Sequence, residues 1–252
     1  MDEKYWYLKN CALFERLSPE QSARLEQRSQ SKRFGRGGLI YVPSDAGESV
    51  LLVMSGRVKI YHLTGDGKQA LLALIEPGEL FGELALFDGG QREEFAEAMD
   101  ATTVLRIPAD EIRRLMELHP GVSLGVTKLM GLRRRRVERR LKSLLFRSNR
   151  ERLIHLLLEL VGQYGRRTSE GVEIGLKLSH QELASIIGST RETVTVVLGE
   201  LKSEGSLIIK RRQIVLLQME RLAQSLDVVP PNVSSGRIPR PVIGRPARQG
   251  LS

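Results

Sequence analysis

The residues from Leu178 to Leu201 constrain the chain more than any other stretch. They read as two short helices joined by a tight turn at Gly188. Ser179 followed three residues later by Glu182 is a capping box, which satisfies orphan N–H groups and starts a helix. Leu183, Ala184, Ile186 and Ile187 give that helix an apolar face. Gly188 supplies the permissive backbone a tight turn requires. Ser189 with Glu192 reads as a second capping box opening a second helix. In that helix Val194, Val197, Leu198 and Leu201 recur at helical spacing, so one face is core. Glu192, Thr195, Val196 and Gly199 fall on the opposite face, flanked by Arg191 in the first turn. A guanidinium, a carboxylate and hydroxyls at a helix start suit the base edges of a DNA major groove.

An amphipathic helix pair with a glycine turn is common, and the next segment separates the two readings. Glu204-Gly205-Ser206 ends the second helix. Leu207 to Leu217 then reads as a β-hairpin with the basic tip Lys210-Arg211-Arg212. The unit is a winged helix-turn-helix. The run Gly188-Ser-Thr-Arg-Glu-Thr-Val-Thr195, the Ser179-His-Gln-Glu-Leu-Ala184 start and the hairpin resemble the C-terminal domain of the cyclic-AMP receptor / fumarate-nitrate regulator (Crp-Fnr) family of bacterial transcription factors.

Charge agrees with a polyanionic partner. The 252-residue chain carries a net charge of +9. Between Arg133 and Arg152 lie ten Arg/Lys and two Glu, a local +8. A single cysteine, Cys11, excludes an internal disulfide framework and an all-cysteine zinc or iron–sulfur site. The histidines lie far apart with no metal-ligand spacing, and no Ser/His/Asp set or phosphate loop stands in a supporting context. No catalytic or metal site and no required cofactor is therefore expected. No apolar run reaches ~18 residues and the N-terminus is not a signal peptide, so the expectation is a cytoplasmic protein without a membrane span.

Residues 1–30 read as helical, with Ser18-Pro19-Glu20 as a helix start. From Phe34 the pattern changes to short strand-like runs: Leu39–Val42, Val50–Met54, Val58–His62, Ala70–Ile75 and Thr102–Ile107. Gly, Pro and Asp punctuate them, which argues for an antiparallel sandwich or roll. A short helix follows over Pro108–His119, then one long helix from Val122 to Phe146. Val126, Met130, Val137, Leu141 and Leu144 fall near heptad spacing along it, although burial against the roll would give similar spacing. Arg150–Val161 reads as a further helix, Gly162–Thr168 as a polar loop and Asp227–Ser252 as a disordered tail with four Arg against one Asp.

The resemblance extends over about residues 14–217 and implies an α+β chain. It has an N-terminal antiparallel β-roll of the cyclic-nucleotide-binding type (1–121), a long dimerisation helix (122–146), a winged helix-turn-helix (147–220) and a basic tail (221–252). It implies a homodimer on double-stranded DNA, with RNA polymerase as a further partner. The stretch Phe81 to Ala98 resembles the family's phosphate-binding cassette, in which Gly-Glu-Leu is followed by Arg-Ser or Arg-Thr. Gly82, Glu83 and Leu84 match. The arginine position holds Glu93-Glu94, and Arg92 stands one residue early. Two carboxylates repel a cyclic phosphate. In the long helix, Val137 and Glu138 stand where the cyclic-AMP binder carries adenine-contacting hydroxyls. The expected effector is not cyclic AMP. A different ligand and no ligand at all both stay open, and so does a cyclic-AMP response in which Arg92 substitutes through a shift in the loop's register.

At the DNA end, the family's recognition helix carries Arg-Glu-x-x-x-Arg. Arg191 and Glu192 match its first two members, and Val196 replaces the third. The resemblance assigns Arg191 to guanine and Glu192 to cytosine. Ser179, Gln181, Ser189, Thr190, Lys210, Arg211 and Arg212 are candidate phosphate contacts, with Thr195 on the outward face.

Overall fold

The computed structural model describes Phe14, residues 17–65, 67, 69–87, 90–210 and 213–233, apart from the side chains of Arg136 and Arg140. The helical expectation for residues 1–13, wing-tip residues Arg211 and Arg212, and the tail beyond Val233 lie outside the described residues. The chain divides into two compact units, residues 1–146 and 147–252.

Among the described residues of the first unit, the first helix is α1 (Pro19–Arg28). The Ser18 hydroxyl accepts from the Gln21 N–H at 3.2 Å, and the Gln21 side chain accepts from the Ser18 N–H at 3.0 Å. Eight strands follow: β1 (Gln30–Phe34), β2 (Leu39–Tyr41), β3 (Ser49–Ser55), β4 (Val58–Leu63), β5 (Gln69–Ile75), β6 (Leu80–Phe81), β7 (Phe95–Ala98) and β8 (Thr102–Pro108). A 3₁₀ turn spans Glu83–Leu86. The strands form two antiparallel sheets, in the orders β1-β8-β3-β6 and β2-β7-β4-β5.

Strand alternation makes two cores from one sheet. Leu51 and Val53 of β3 and Val104 of β8 meet Tyr41, Val58, Ile60, Ile75 and Ala96 of the other sheet. On the opposite face, Val50, Leu52, Leu105 and Ile107 pack with Leu25 of α1 and with two further helices, α2 (Ala109–Leu118) and α3 (Pro120–Phe146). Ile112 and Leu115 represent α2 there, and Val122 and Val126 represent α3. Fully burying each such side chain stabilises by roughly 1.5–3 kcal/mol. At Val126 the heptad-like spacing thus reflects burial against the roll, the second of the two readings that the spacing allowed. Farther along α3 the apolar side chains emerge: Leu132, Val137, Leu141, Leu145 and Phe146 are exposed.

Three strands of this unit went unmarked in the sequence. β1 is mostly polar and solvent-facing, β6 has two residues, and β7 carries Glu97 in a four-residue span. All three exist through pairing with β8, β3 and β4 rather than through their own pattern.

The second unit begins with α4 (Asn149–Tyr164), capped by Ser148 and Glu151 and burying Leu153, Ile154, Leu157, Leu158, Leu160 and Val161. The helix runs through the first part of the expected polar loop, and the rest is β9 (Gly165–Arg167). Then come β10 (Val172–Ile174), α5 (His180–Ile187), α6 (Arg191–Ser203), β11 (Leu207–Lys210), β12 (Gln213–Leu216) and α7 (Met219–Gln224). The hairpin β11–β12 extends to a four-stranded sheet in the order β11-β12-β10-β9. Among the described residues, no helix is long and apolar enough to cross a membrane.

Gly56 and Gly78 both sit in the left-handed region, at φ 77° and 88°. A Cβ on Gly56 would lie 2.4 Å from the Thr102 hydroxyl, whereas one on Gly78 would meet nothing within 4 Å. Gly78→Ala is expected to cost only the backbone strain, roughly 1–2 kcal/mol. Gly56→Ala adds overlap and should cost more. Urea unfolding of the two variants checks the order.

Candidate DNA interface and effector pocket

In the second unit, the Ser179 hydroxyl accepts from the Glu182 N–H at 3.2 Å, and the Glu182 carboxylate accepts from the Ser179 N–H at 2.7 Å. Gly188 ends α5 in the left-handed conformation, at φ 65°, and turns the chain toward α6. The cap of α6 corrects the sequence expectation. It is Thr190 rather than Ser189, and its hydroxyl accepts from the Thr193 N–H at 3.2 Å. Ser189 is instead spent on the turn, its N–H donating to the Ala184 carbonyl at 3.0 Å.

The recognition helix α6 buries Val194, Val197, Leu198 and Leu201. Its C-terminal half is clamped from α4: the Arg150 guanidinium donates to Glu204 at 2.7 and 2.9 Å and to Glu200 at 3.2 Å. Arg191, Glu192, Thr195 and Val196 are exposed on the outward face. Hydrogen bonds from the Glu192 backbone N–H, then from the Thr190 hydroxyl, hold the Glu192 carboxyl below its ordinary pKa. It is therefore a pure acceptor. The Thr195 hydroxyl is engaged, donating to the Arg191 carbonyl at 2.9 Å and lying 2.8 Å from His180 Nδ1.

Of the candidate phosphate contacts, Gln181 is exposed, while the hydroxyls of Ser179 and Thr190 serve their own caps. Lys210 is paired with Glu170. Between the two helix starts and the hairpin lies a cleft of about 450 Å³, lined by Leu178, Ser179, His180, Gln181, Arg191, Ile209 and Ile214. His180 and Arg150 had no signal in the sequence. Neither stands at a patterned position, and each becomes visible only through its distant partner.

In the first unit, Gly82 enters the cassette in the left-handed conformation, at φ 69°. A Cβ there would lie 2.6 Å from the Arg92 guanidinium. Glu83 is buried and paired with Arg133 of α3, which also donates to the Leu80 carbonyl. Arg92 is only 7 % exposed. Its guanidinium donates to the Gly82 carbonyl at 2.9 Å and to the Ser49 carbonyl, and lies 4.7 Å over the Tyr41 ring. Burial pulls its pKa down from the ordinary value.

Glu94 accepts from the Tyr41 hydroxyl at 2.9 Å. Burial first, and the Glu94 charge second, push that phenol up. Glu93 is exposed. Leu84 points to solvent and Val137 is 64 % exposed on α3. The structure thus gathers Gly82, Glu83, Arg92 and Glu94 around Tyr41, Ser49 and Arg133, and leaves Glu93, Leu84 and Val137 outward. Among the described residues there is no metal-ligand cluster.

Two family models match the chain, the cyclic nucleotide-binding domain over residues 31–119 and the Crp-like helix-turn-helix domain over residues 151–225. The chain is 33 % identical to a cyclic AMP receptor protein of Thermus thermophilus, over 79 % of this chain and 88 % of that one. It is 27 % identical to a CRP-like cAMP-activated global transcriptional regulator of Mycobacterium tuberculosis, over 89 % and 99 %. Among solved structures, a CooA variant from Carboxydothermus hydrogenoformans superposes with a TM-score of 0.72 at 28 % identity, covering 87 % of this chain and 97 % of that one. A β-roll with a cyclic-nucleotide cassette, a long helix and a Crp-like helix-turn-helix, at this identity and coverage, make the chain a member of the Crp-Fnr family of DNA-binding transcription regulators.

Proposed function

We propose that the chain works as a homodimer on a palindromic operator, in the cytoplasm and with RNA polymerase as its partner, and that cyclic AMP is not its effector. The observation that carries the DNA reading is the outward face of α6, where Arg191, Glu192 and Val196 stand exposed on a helix capped at one end and clamped at the other. Arg191 reads a guanine through its fork, and Glu192 accepts from a cytosine amino group. Val196 packs on a thymine methyl where the family places a second guanine-reading arginine. Gln181, Ser189, Lys210, Arg211 and Arg212 position the protein on phosphates.

The dimer rests on α3, whose exposed Val137, Leu141 and Leu145 form an apolar stripe that water covers in a single copy.

The effector reading rests on the cassette. Two relatives carry cyclic AMP in their names. Here the family's arginine position holds an exposed Glu93, and the neighbouring Arg92 is turned inward onto backbone carbonyls. No cation is left facing a cyclic phosphate from that loop. A different ligand and ligand-free, constitutive binding remain the two forms of this reading.

Three outcomes are expected. Operator affinity of the purified protein, measured at one fixed salt concentration, is unchanged by cyclic AMP, and a rise of tenfold or more would overturn the effector assignment. Binding-site selection returns a half-site related to the TGTGA-like sequence that the resemblance to the family implies, but relaxed at one G·C pair, and Val196→Arg restores that pair with about 1–3 kcal/mol of discrimination. Leu141→Lys shifts the chain from dimer to monomer in sedimentation, and an unshifted dimer would remove the α3 seam.

A further inference from the structure

The His180 ring crosses the helix-turn-helix from the first residue of α5 to Thr195 on the outward face of α6. The single hydroxyl proton of Thr195 goes to the Arg191 carbonyl at 2.9 Å. The oxygen can then only accept from the imidazole, so Nδ1 of His180 carries hydrogen and donates to it at 2.8 Å. A neutral ring therefore holds its one proton inward, on Nδ1. Its Nε2 keeps a lone pair and has no partner among the described residues. A second proton can enter at Nε2 without breaking either hydrogen bond, so the pair with Thr195 holds the ring in place in both charge states.

The groups around the ring leave room for that proton to matter. Arg191 of α6 lines the same cleft. From the hairpin the lining residues are Ile209 and Ile214, while Lys210 is paired with Glu170 and Gln213 with Glu173. On its own helix Glu182 is tied to Ser179, and Glu192 of α6 is held at its helix start by Thr190. No carboxylate among the described residues is bonded to the imidazole.

We propose that His180 is a further DNA contact, and that its Nε2 takes up a proton from solvent when a backbone phosphate of the operator closes on it. The inference rests on the DNA-binding reading. It adds a residue outside the candidate set and makes operator binding proton-coupled. A phosphate that enters the cleft lies beside both the Arg191 guanidinium and the imidazole, and its negative charge favours the imidazolium.

The test measures operator affinity against salt concentration at pH 6 and pH 8 for the intact protein, H180Q and H180R. An added phosphate contact steepens the log–log salt slope by about 0.9. In the homodimer the contact forms once in each half-site, so the intact protein is expected to bind more tightly at pH 6, by about tenfold, with the salt slope steeper by about 1.8. H180Q should lose both differences and match the intact protein at pH 8. H180R carries a permanent cation and should bind at pH 8 as the intact protein does at pH 6.

Equal pH dependence in the intact protein and H180Q, or salt slopes that do not change with pH, would overturn the inference while leaving DNA binding intact. Absence of operator binding by the intact protein at both pH values would remove the underlying reading as well. Retained melting temperature in H180Q and H180R separates loss of contact from loss of fold.

Discussion

Strand β3 is the constraint on which the first unit depends. All six residues from Ser49 to Met54 are buried, so the strand faces a core on both sides. Leu51 and Val53 look toward the second sheet, while Val50 and Leu52 look toward the helices. Its backbone also sets the cassette. Leu51 and Leu52 pair with Phe81 and Leu80, the residues that lead into Gly82, and the Ser49 carbonyl accepts from Arg92. The cassette and the docking of α3 through Val122 and Val126 are thus fixed by one doubly buried strand. A change there would be felt at both, because close-packed interiors transmit small displacements.

The second unit solves a different problem. A recognition helix must present polar side chains outward while its axis stays fixed. Four contacts to its core set its depth, the Gly188 turn sets its entry, and Arg150 sets its far end. Hydrogen bonds involving a charged partner contribute more than neutral ones, and two carboxylates share this guanidinium. The outward residues, the exposed Val196 among them, can then vary without changing the helix that carries them.

The helix-turn-helix was legible because its signals are local. Ser179, Glu182, Gly188 and the 3.6-residue period of Val194, Val197, Leu198 and Leu201 each act within one or two turns. The cap of α6 was misplaced by one residue because Ser189 and Thr190 are both good caps, and only the geometry of the Gly188 turn chooses between them. In the cassette the resemblance sets Glu93-Glu94 against the family's arginine position. It could not show that Arg92 is buried against Tyr41, Ser49 and Gly82, since those partners lie ten to fifty residues away. The same distance hides Arg133 as the partner of Glu83. Strand β1 escaped notice because its residues, Gln30-Ser-Lys-Arg-Phe34, lack any alternation of apolar and polar.

That unstrandlike composition has a consequence for behaviour in a crowded solution. Among the described residues, β1 lies at the rim of its sheet, hydrogen-bonded to β8 on one side only. Its other side is a ready template for another chain, the usual starting point of edge-to-edge aggregation. Lys32 and Arg33 are exposed there. An incoming apolar strand would have to desolvate both, and a second copy of the same basic strand would be repelled. The feature that disguises β1 in the sequence also keeps the sheet from growing past it.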